Sequence, residues 1–271
     1  MTHSRHDVVT LLEAHGLAPR RAFGQNFVVD PNTVRRIARL ADVGSGDRVI
    51  EIGAGLGSLT LALVETGARV TAIEIDRGIV PVLREVVSGH DVEVIEGDAM
   101  NLDWSTIAPD DERATVVANL PYNVATPLVA ELLDRVPGVA RMVVMVQREV
   151  AHRLAAVPGS PDYGAVSVKV AYWAEARLLG DVPPTVFVPR PKVTSSIVEI
   201  RRRPEPAVDV DPVPLFSLVR AAFGQRRKML RRSLADKVTA EMFESAGIDS
   251  SARPETLSVL DWGRLAAAVG D

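Results

Sequence analysis

From about residue 46, short apolar runs alternate with stretches of helical spacing. Residues 48–52, 69–75, 92–95, 114–118 and 142–146 read as strands. Residues 58–66, 79–87, 126–135 and 149–156 read as helices, and Pro127 suits a first turn. Such alternation buries its apolar surface as a parallel sheet with helices on both faces. Two further runs, 166–179 and 193–201, read as strands that close the sheet. Ahead of it, helices at roughly 6–15 and 32–41 flank a loop at 20–30. Behind it, the proline-rich stretch 203–214 reads as a linker, and 215–223, 226–235, 240–246 and 260–269 have helical spacing. The expected organisation is an α/β domain at 1–206, whose first 45 residues hold the two leading helices and their loop, and a small all-α domain at 207–271.

A length of 271 residues, 47% of them hydrophobic, suffices for one large domain and one small one. No apolar run reaches membrane length, and Met1-Thr2-His3-Ser4-Arg5-His6 lacks the apolar core of a signal peptide. The absence of cysteine excludes disulfides, thiolate metal sites and a cysteine nucleophile. The five histidines include no pair at metal-binding spacing. These features lead to the expectation of a soluble, cytoplasmic, metal-free protein. The net charge of −4 argues mildly against a nucleic-acid partner, but its distribution matters more. Arg220, Arg226, Arg227, Lys228, Arg231 and Arg232 occur within 217–232 without an acidic residue, shortly after Arg190, Lys192 and Arg201-Arg202-Arg203. A solvated helix face is the usual fate of such a run.

The chemistry-bearing residues fall at strand ends. After 114–118 comes Asn119-Leu120-Pro121-Tyr122. The Asn119 amide oxygen and the Leu120 carbonyl can both accept from an NH2 group, Tyr122 can stack on a planar ring, and Pro121 stiffens the corner. An ordinary strand-to-loop turn uses the same residue types. Alone, the tetrapeptide specifies at most an amino group on a flat ring. Glu51-Ile52-Gly53-Ala54-Gly55-Leu56-Gly57 joins the first strand to its helix, where glycines admit a ligand close to the backbone. The dinucleotide spacing G-x-G-x-x-G fails, because the third glycine comes one position early and position 58 is Ser. Glu51 suits a cationic ligand better than a pyrophosphate, and S-adenosylmethionine carries a sulfonium and an α-ammonium. Glu74 ends the second strand, where an acid can accept ribose hydroxyls. Asp98 follows the third strand and can accept from an adenine amino group. Each residue singly could be a solvated charge or a turn glycine. Together they converge on one sheet edge, where such folds bind ligands.

With these motifs in order, the chain resembles the rRNA adenine N6,N6-dimethyltransferases of the KsgA type. The matching stretches also include Gly24-Gln25-Asn26-Phe27, Glu74-Ile75-Asp76, Gly97-Asp98-Ala99, Phe187-Val188-Pro189-Arg190-Pro191-Lys192-Val193 and Phe223-Gly224-Gln225-Arg226-Arg227-Lys228. The resemblance spans nearly the whole chain. It implies a Rossmann-like class I methyltransferase sheet with a reversed last strand, and S-adenosylmethionine as donor. Family donor-binding positions fall on Asn26, Val28, Gly53, Glu74, Asp98 and Asn119. The matched stretches add Gln25, Glu51, Gly55, Gly57, Ile75 and Ala99. Val28 stands where many relatives carry Leu, a change that a backbone contact tolerates. Asn119, Leu120, Pro121 and Tyr122 are the implied catalytic corner, with Phe187 clamping the base from its other face. Arg190, Lys192, Arg226, Arg227, Lys228, Arg231 and Arg232 are the implied RNA contacts. The implied substrate is a pair of adjacent adenosines near the 3′ end of 16S rRNA, presented on the small ribosomal subunit to a monomeric enzyme with a role in subunit biogenesis. The competing readings are a resistance-type methylase of large-subunit rRNA, an assembly factor that acts by binding, and a small-molecule methyltransferase that would leave the basic C-terminal region without a use.

Overall fold

The computed structural model describes residues 2–270. Its strands are β1 (Phe27–Val28), β2 (Arg48–Ile52), β3 (Arg69–Glu74), β4 (Val92–Glu96), β5 (Ala114–Asn119), β6 (Val139–Gln147), β7 (Ala174–Val182), β8 (Phe187–Val188) and β9 (Ser195–Arg202). The helices are α1 (Arg5–Ala14), α2 (Pro31–Ala41), α3 (Ser58–Val64), α4 (Val80–Val86), α5 (Trp104–Ile107), α6 (Ala125–Arg135), α7 (Arg148–Leu154), α8 (Ala165–Trp173), α9 (Pro212–Gly224), α10 (Leu230–Ser233), α11 (Ala240–Ser245) and α12 (Val259–Gly270). The chain divides into two compact units. One holds the stretch through Ala151 together with Arg177–Arg201; the other holds His152–Ala176 together with the stretch from Arg202 onward.

Seven strands form one sheet in the order β4-β3-β2-β5-β6-β9-β7. β2 pairs in parallel with β3 and β5, β3 with β4, and β5 with β6. β9 runs antiparallel to β6, with Ser195 opposite Gln147. The carboxyl ends of five parallel strands and the amino end of β9 therefore share one edge. β1 and β8 form a separate antiparallel ribbon that pairs Phe27 with Val188 and Val28 with Phe187.

Local sequence explains how elements reach that edge. α2 starts at Asp30, whose carboxylate accepts from the Thr33 N–H, and Pro31 occupies the first turn, where no N–H is needed. Val34, Ile37, Ala38 and Ala41 then form one buried stripe against β5, β6 and α3. An ion cluster around one buried carboxylate fastens the reversed strand. Glu199 of β9 accepts from Arg141 of β6, Arg177 of β7 and Arg201 of β9. Burial alone would raise the Glu199 carboxyl, but the hydrogen bonds of Arg177, Arg141 and Arg201 outweigh it and hold the group below its ordinary value.

The second unit packs Tyr172, Leu215, Phe216, Val219, Trp262 and Leu265 into its own core. Here the structure corrects two expectations. Residues 165–173 are helix rather than strand, and the strand begins only at Ala174. The run Val166-Ser167-Val168-Lys169-Val170 alternates like a strand, yet Gly164 donates to the Ser167 hydroxyl at the helix start, and Val168 and Tyr172, four apart, enter the same core. Of the helix expected at 226–235, only Leu230–Ser233 forms; turns precede it. No helix among the described residues is long and apolar enough to cross a membrane.

Candidate active site

The carboxyl ends of β2, β3 and β5 open on a cleft holding about 730 Å³ of space, open solvent included. A second hollow of about 630 Å³ shares Phe23, Gly53, Ile75 and Pro121 with it and runs to Asp98, Ala99 and Met100. Glu51, Glu74 and Asp98 contribute carboxyls to these walls, whereas no Lys, Arg or His among the described residues lines either space.

Glu74, at the end of β3, is buried. Its Oε2 accepts from the Gly55 N–H at 2.8 Å and its Oε1 from the Asp76 N–H at 2.9 Å. These bonds aim the carboxyl and tie the glycine loop to β3. Gly55 has φ +57°, and a Cβ there would stand 3.1 Å from the Phe27 ring, so the loop requires glycine at this point. Burial raises the Glu74 carboxyl above its ordinary value; the two backbone bonds oppose this, and the Asp76 charge adds to it. Glu51 is 2% exposed, and Thr60 of α3 donates to its Oε2 at 2.5 Å. Its carboxyl is pushed up to about 8, chiefly by burial, with the Thr60 bond opposing and the Glu74 charge contributing. Asp98 accepts from the Met100 N–H and the Asn101 side chain, which fixes its place at the second hollow.

At the end of β5, Asn119 Nδ2 donates to the Asn26 carbonyl at 3.0 Å. That bond fixes the amide's orientation, and Oδ1 accepts no hydrogen bond from a described residue. Neither does the Leu120 carbonyl, although the Leu120 N–H donates to Met145 at 3.0 Å. Two acceptors thus remain available beside the half-buried Tyr122 ring, whose hydroxyl lies 2.8 Å from Ser195 Oγ. Burial raises the Tyr122 phenol above its ordinary value, and the Ser195 bond opposes the rise. Gly24 packs so closely that a Cβ there would meet Asn123 Oδ1 at 3.0 Å and Pro121 Cβ at 3.1 Å.

Asn26, Val28, Glu51, Gly53, Gly55, Glu74, Ile75, Asn119, Leu120, Pro121 and Tyr122 all line the first cleft, and Asp98 and Ala99 the second hollow. Other expected residues behave differently. Gln25 lines the cleft, but both ends of its amide are engaged: Oε1 accepts from the Arg20 N–H and Nε2 donates to Asp76. It braces the loop. Gly57 faces Leu83 and Val86 under the start of α3 and lines neither space. Phe187 is 1% exposed and lies in the core with Val28, Val34 and Ile37, because its pairing with Val28 turns the ring inward. Phe187 is not among the residues that line the cleft. Arg190, Lys192, Arg227, Lys228, Arg231 and Arg232 are exposed, whereas Arg226 is half-buried, donates to the Pro161 carbonyl and lies 3.9 Å from Glu255.

Residue-level reading of the sequence missed Thr60, Asp76, Ser195 and Phe23. Asp76, 2% exposed, collects Arg20, Gln25 and the Gly78 N–H, joining the 20–25 loop to β3. Its position two residues after Glu74 was the available signal. Thr60 and Ser195 meet their partners only through the fold.

This sheet, with its cleft at the carboxyl ends of the parallel strands, defines a Rossmann-like transferase. A profile of the family described as "Ribosomal RNA adenine dimethylase" matches residues 16–270. The chain belongs to that family. It is 45% identical to the ribosomal RNA small subunit methyltransferase A of Acidothermus cellulolyticus over 97% of this chain and 93% of that one. Its identity to the Cutibacterium acnes protein of the same description is 48%, over 94% and 90%. Among solved structures, the 23S rRNA methyltransferase ErmE superposes with TM-score 0.69 at 27% identity, over 91% of this chain and 100% of that one. A dimethyladenosine transferase from Plasmodium falciparum superposes with TM-score 0.73 at 24% identity, over 87% and 94%, a likeness of fold.

Proposed function

We propose that the chain uses S-adenosylmethionine to dimethylate N6 of two adjacent adenosines near the 3′ end of 16S rRNA, on the small ribosomal subunit in the cytoplasm, and thereby takes part in subunit biogenesis. One observation carries the chemistry: with its amide NH2 held on Asn26, Asn119 keeps Oδ1, beside the Leu120 carbonyl, for an incoming amine. The choice of small-subunit RNA rests on the relatives at 45% and 48% identity.

The walls suit the donor, because carboxyls line them and no cationic side chain among the described residues does. In this reading Glu74 holds the ribose, Asp98 the adenine amino group, and Glu51 stands toward the cationic end. When bound, S-adenosylmethionine supplies an electrophilic methyl on a sulfonium. The protein's task is to make adenine N6 nucleophilic and to aim it. The N6 lone pair is conjugated with the ring. Acceptors at Asn119 Oδ1 and the Leu120 carbonyl draw the two N–H bonds out of the ring plane and release the pair. Tyr122 stacks on the extruded base, which leaves its helix or stack to reach the site. Positioning supplies most of the acceleration. The corner needs no strong base, since the methylated amine is acidic and releases its proton to water. After the first methylation one N–H remains, and one of the two acceptors retains it. The exposed cations at Arg190, Lys192, Arg227, Lys228, Arg231 and Arg232 hold phosphates.

The test is transfer of labelled methyl from S-adenosylmethionine to small subunits lacking the modification, with large subunits in parallel. Label on small-subunit RNA as N6,N6-dimethyladenosine is the expected result. Label confined to the large subunit would establish the competing methylase reading, to which the likeness to ErmE makes it the natural control.

A further inference from the structure

Ser195 stands outside the motif that places the base, yet it holds the one aromatic side chain of the corner. We propose that Ser195 is a positioning residue for methyl transfer, fixing the Tyr122 ring in the plane on which the target base stacks. The proposal rests on the methyltransferase reading above.

The geometry has three parts. Ser195 opens β9 opposite Gln147, the last residue of β6, so it stands at the sheet edge where β5 delivers Asn119. It is 0% exposed, and its hydroxyl lies 2.8 Å from the Tyr122 hydroxyl. Its neighbour Ser196 points to the opposite sheet face and donates to Asp181 Oδ1 at 2.6 Å, so the two serines hold different elements.

A tyrosine ring has two soft torsions. The main chain at Tyr122 anchors one end, and Pro121 limits that main chain. A hydrogen bond at the far end fixes the direction of the ring axis. Because a phenol O–H prefers the ring plane, the same bond also favours one ring orientation. A half-buried ring held at both ends is ready to stack. Held only at Cα, it must be ordered anew with each base. The loss should therefore appear in turnover once the base is in the site, more than in capture of the subunit, which depends on phosphate contacts.

The experiment is a double-variant cycle on the full-length protein with Ser195→Ala, Tyr122→Phe and both together, using unmodified small subunits. Each single change should lower kcat about three- to tenfold, the size of one lost hydrogen bond. KM for the subunit and the affinity for S-adenosylmethionine should hold. The double variant should be no slower than the slower single, because both remove the same contact. A second readout is 2-aminopurine at the target position of a short rRNA fragment. Quenching on binding should weaken in Ser195→Ala with wild-type affinity. Additive losses in kcat, or Ser195→Ala turning over at the wild-type rate, would overturn the proposal. If the changed proteins melt early, kcat is read well below their midpoints and the cycle still decides. Failure of the wild type to methylate any subunit would refute the methyltransferase reading itself and take this proposal with it.

Discussion

Tyr122 and Phe187 each lie within two residues of a proline, Tyr122 just beyond the end of β5 and Phe187 directly after the 3-10 turn Pro184–Val186. Their surroundings are opposite. Tyr122 lines the cleft half-buried, with its hydroxyl on Ser195. Phe187 is sealed in the core under the β1–β8 ribbon. The difference lies in what the backbone is paired to. Phe187 belongs to a two-residue ladder with Val28, and that pairing sends its ring inward. Tyr122 follows the last paired residue of β5 and stands on an unpaired corner. One aromatic is available to a ligand, and the other holds up the wall on which Asn26 and Val28 sit.

Phe187→Ala should give the largest effect of all, a loss of about 3–5 kcal/mol in folding stability from emptying a buried aromatic site. Denaturant unfolding measures it. Phe187→Leu sharpens the comparison, since it retains an apolar filling and should keep most of the transfer rate. A large fall in kcat for Phe187→Leu with stability retained would break the contrast and restore Phe187 as a stacking residue.

Asn119→Ala tests the other side. It removes one preorganised contact to the reacting amine and should lower kcat by roughly 10²–10³-fold. Donor affinity measured by calorimetry should persist, because Glu51, Glu74 and Asp98 are untouched. Tyr122→Leu should come next, with a cost of about 1–3 kcal/mol in transition-state stabilisation for a lost base–aromatic stack. Steady-state kinetics should show that loss in kcat/KM for RNA and not in donor binding.

Much of this was legible in residues alone. β-strand runs, glycine loop and acids at strand ends announce a parallel sheet with ligands at one edge, because strand periodicity and turn chemistry are local. The burial of Phe187 was not legible, because an aromatic beside a proline motif looks the same whether its ring faces a cleft or a core. The helix at 165–173 was misread because a β-branched alternation yielded to tertiary packing. Thr60, Asp76 and Ser195 carry short polar side chains found anywhere in a sequence. Their roles come from partners 9, 51 and 73 residues away.

Glu51 supplies a pH-dependent test of the donor side. The folded chain without donor holds its carboxyl up near about 8, against an ordinary 4.5. Between these values the folded state binds more protons than the unfolded one. The stability this group contributes is therefore complete below about 4.5 and lost as pH rises through about 8. Glu51→Gln should flatten that decline in thermal unfolding of the donor-free protein. A cationic donor favours the carboxylate, so binding below pH 8 should release up to one proton and donor affinity should rise by about tenfold per pH unit at most. Calorimetry in buffers of different ionisation heat counts the proton. Neighbouring Glu74, also raised by burial, makes the variant necessary to assign it.

The smallest expected effect concerns charge, and it separates two exposed cations from one that is braced. Arg231 and Arg232 are exposed on α10, whereas Arg226 is braced by the Pro161 carbonyl and Glu255. Each phosphate contact adds about 0.7–0.9 to the slope of log affinity against log salt. Arg231→Ala and Arg232→Ala should each reduce that slope by about this amount for an rRNA fragment and weaken binding roughly threefold at moderate salt. Arg226→Ala should leave the slope nearly unchanged and act through stability, since its charge already faces an acid and its guanidinium ties α9's end to the Pro161 turn. Equal slope changes for all three would show that the brace gives way when RNA arrives, and that Arg226 belongs with the phosphate contacts after all.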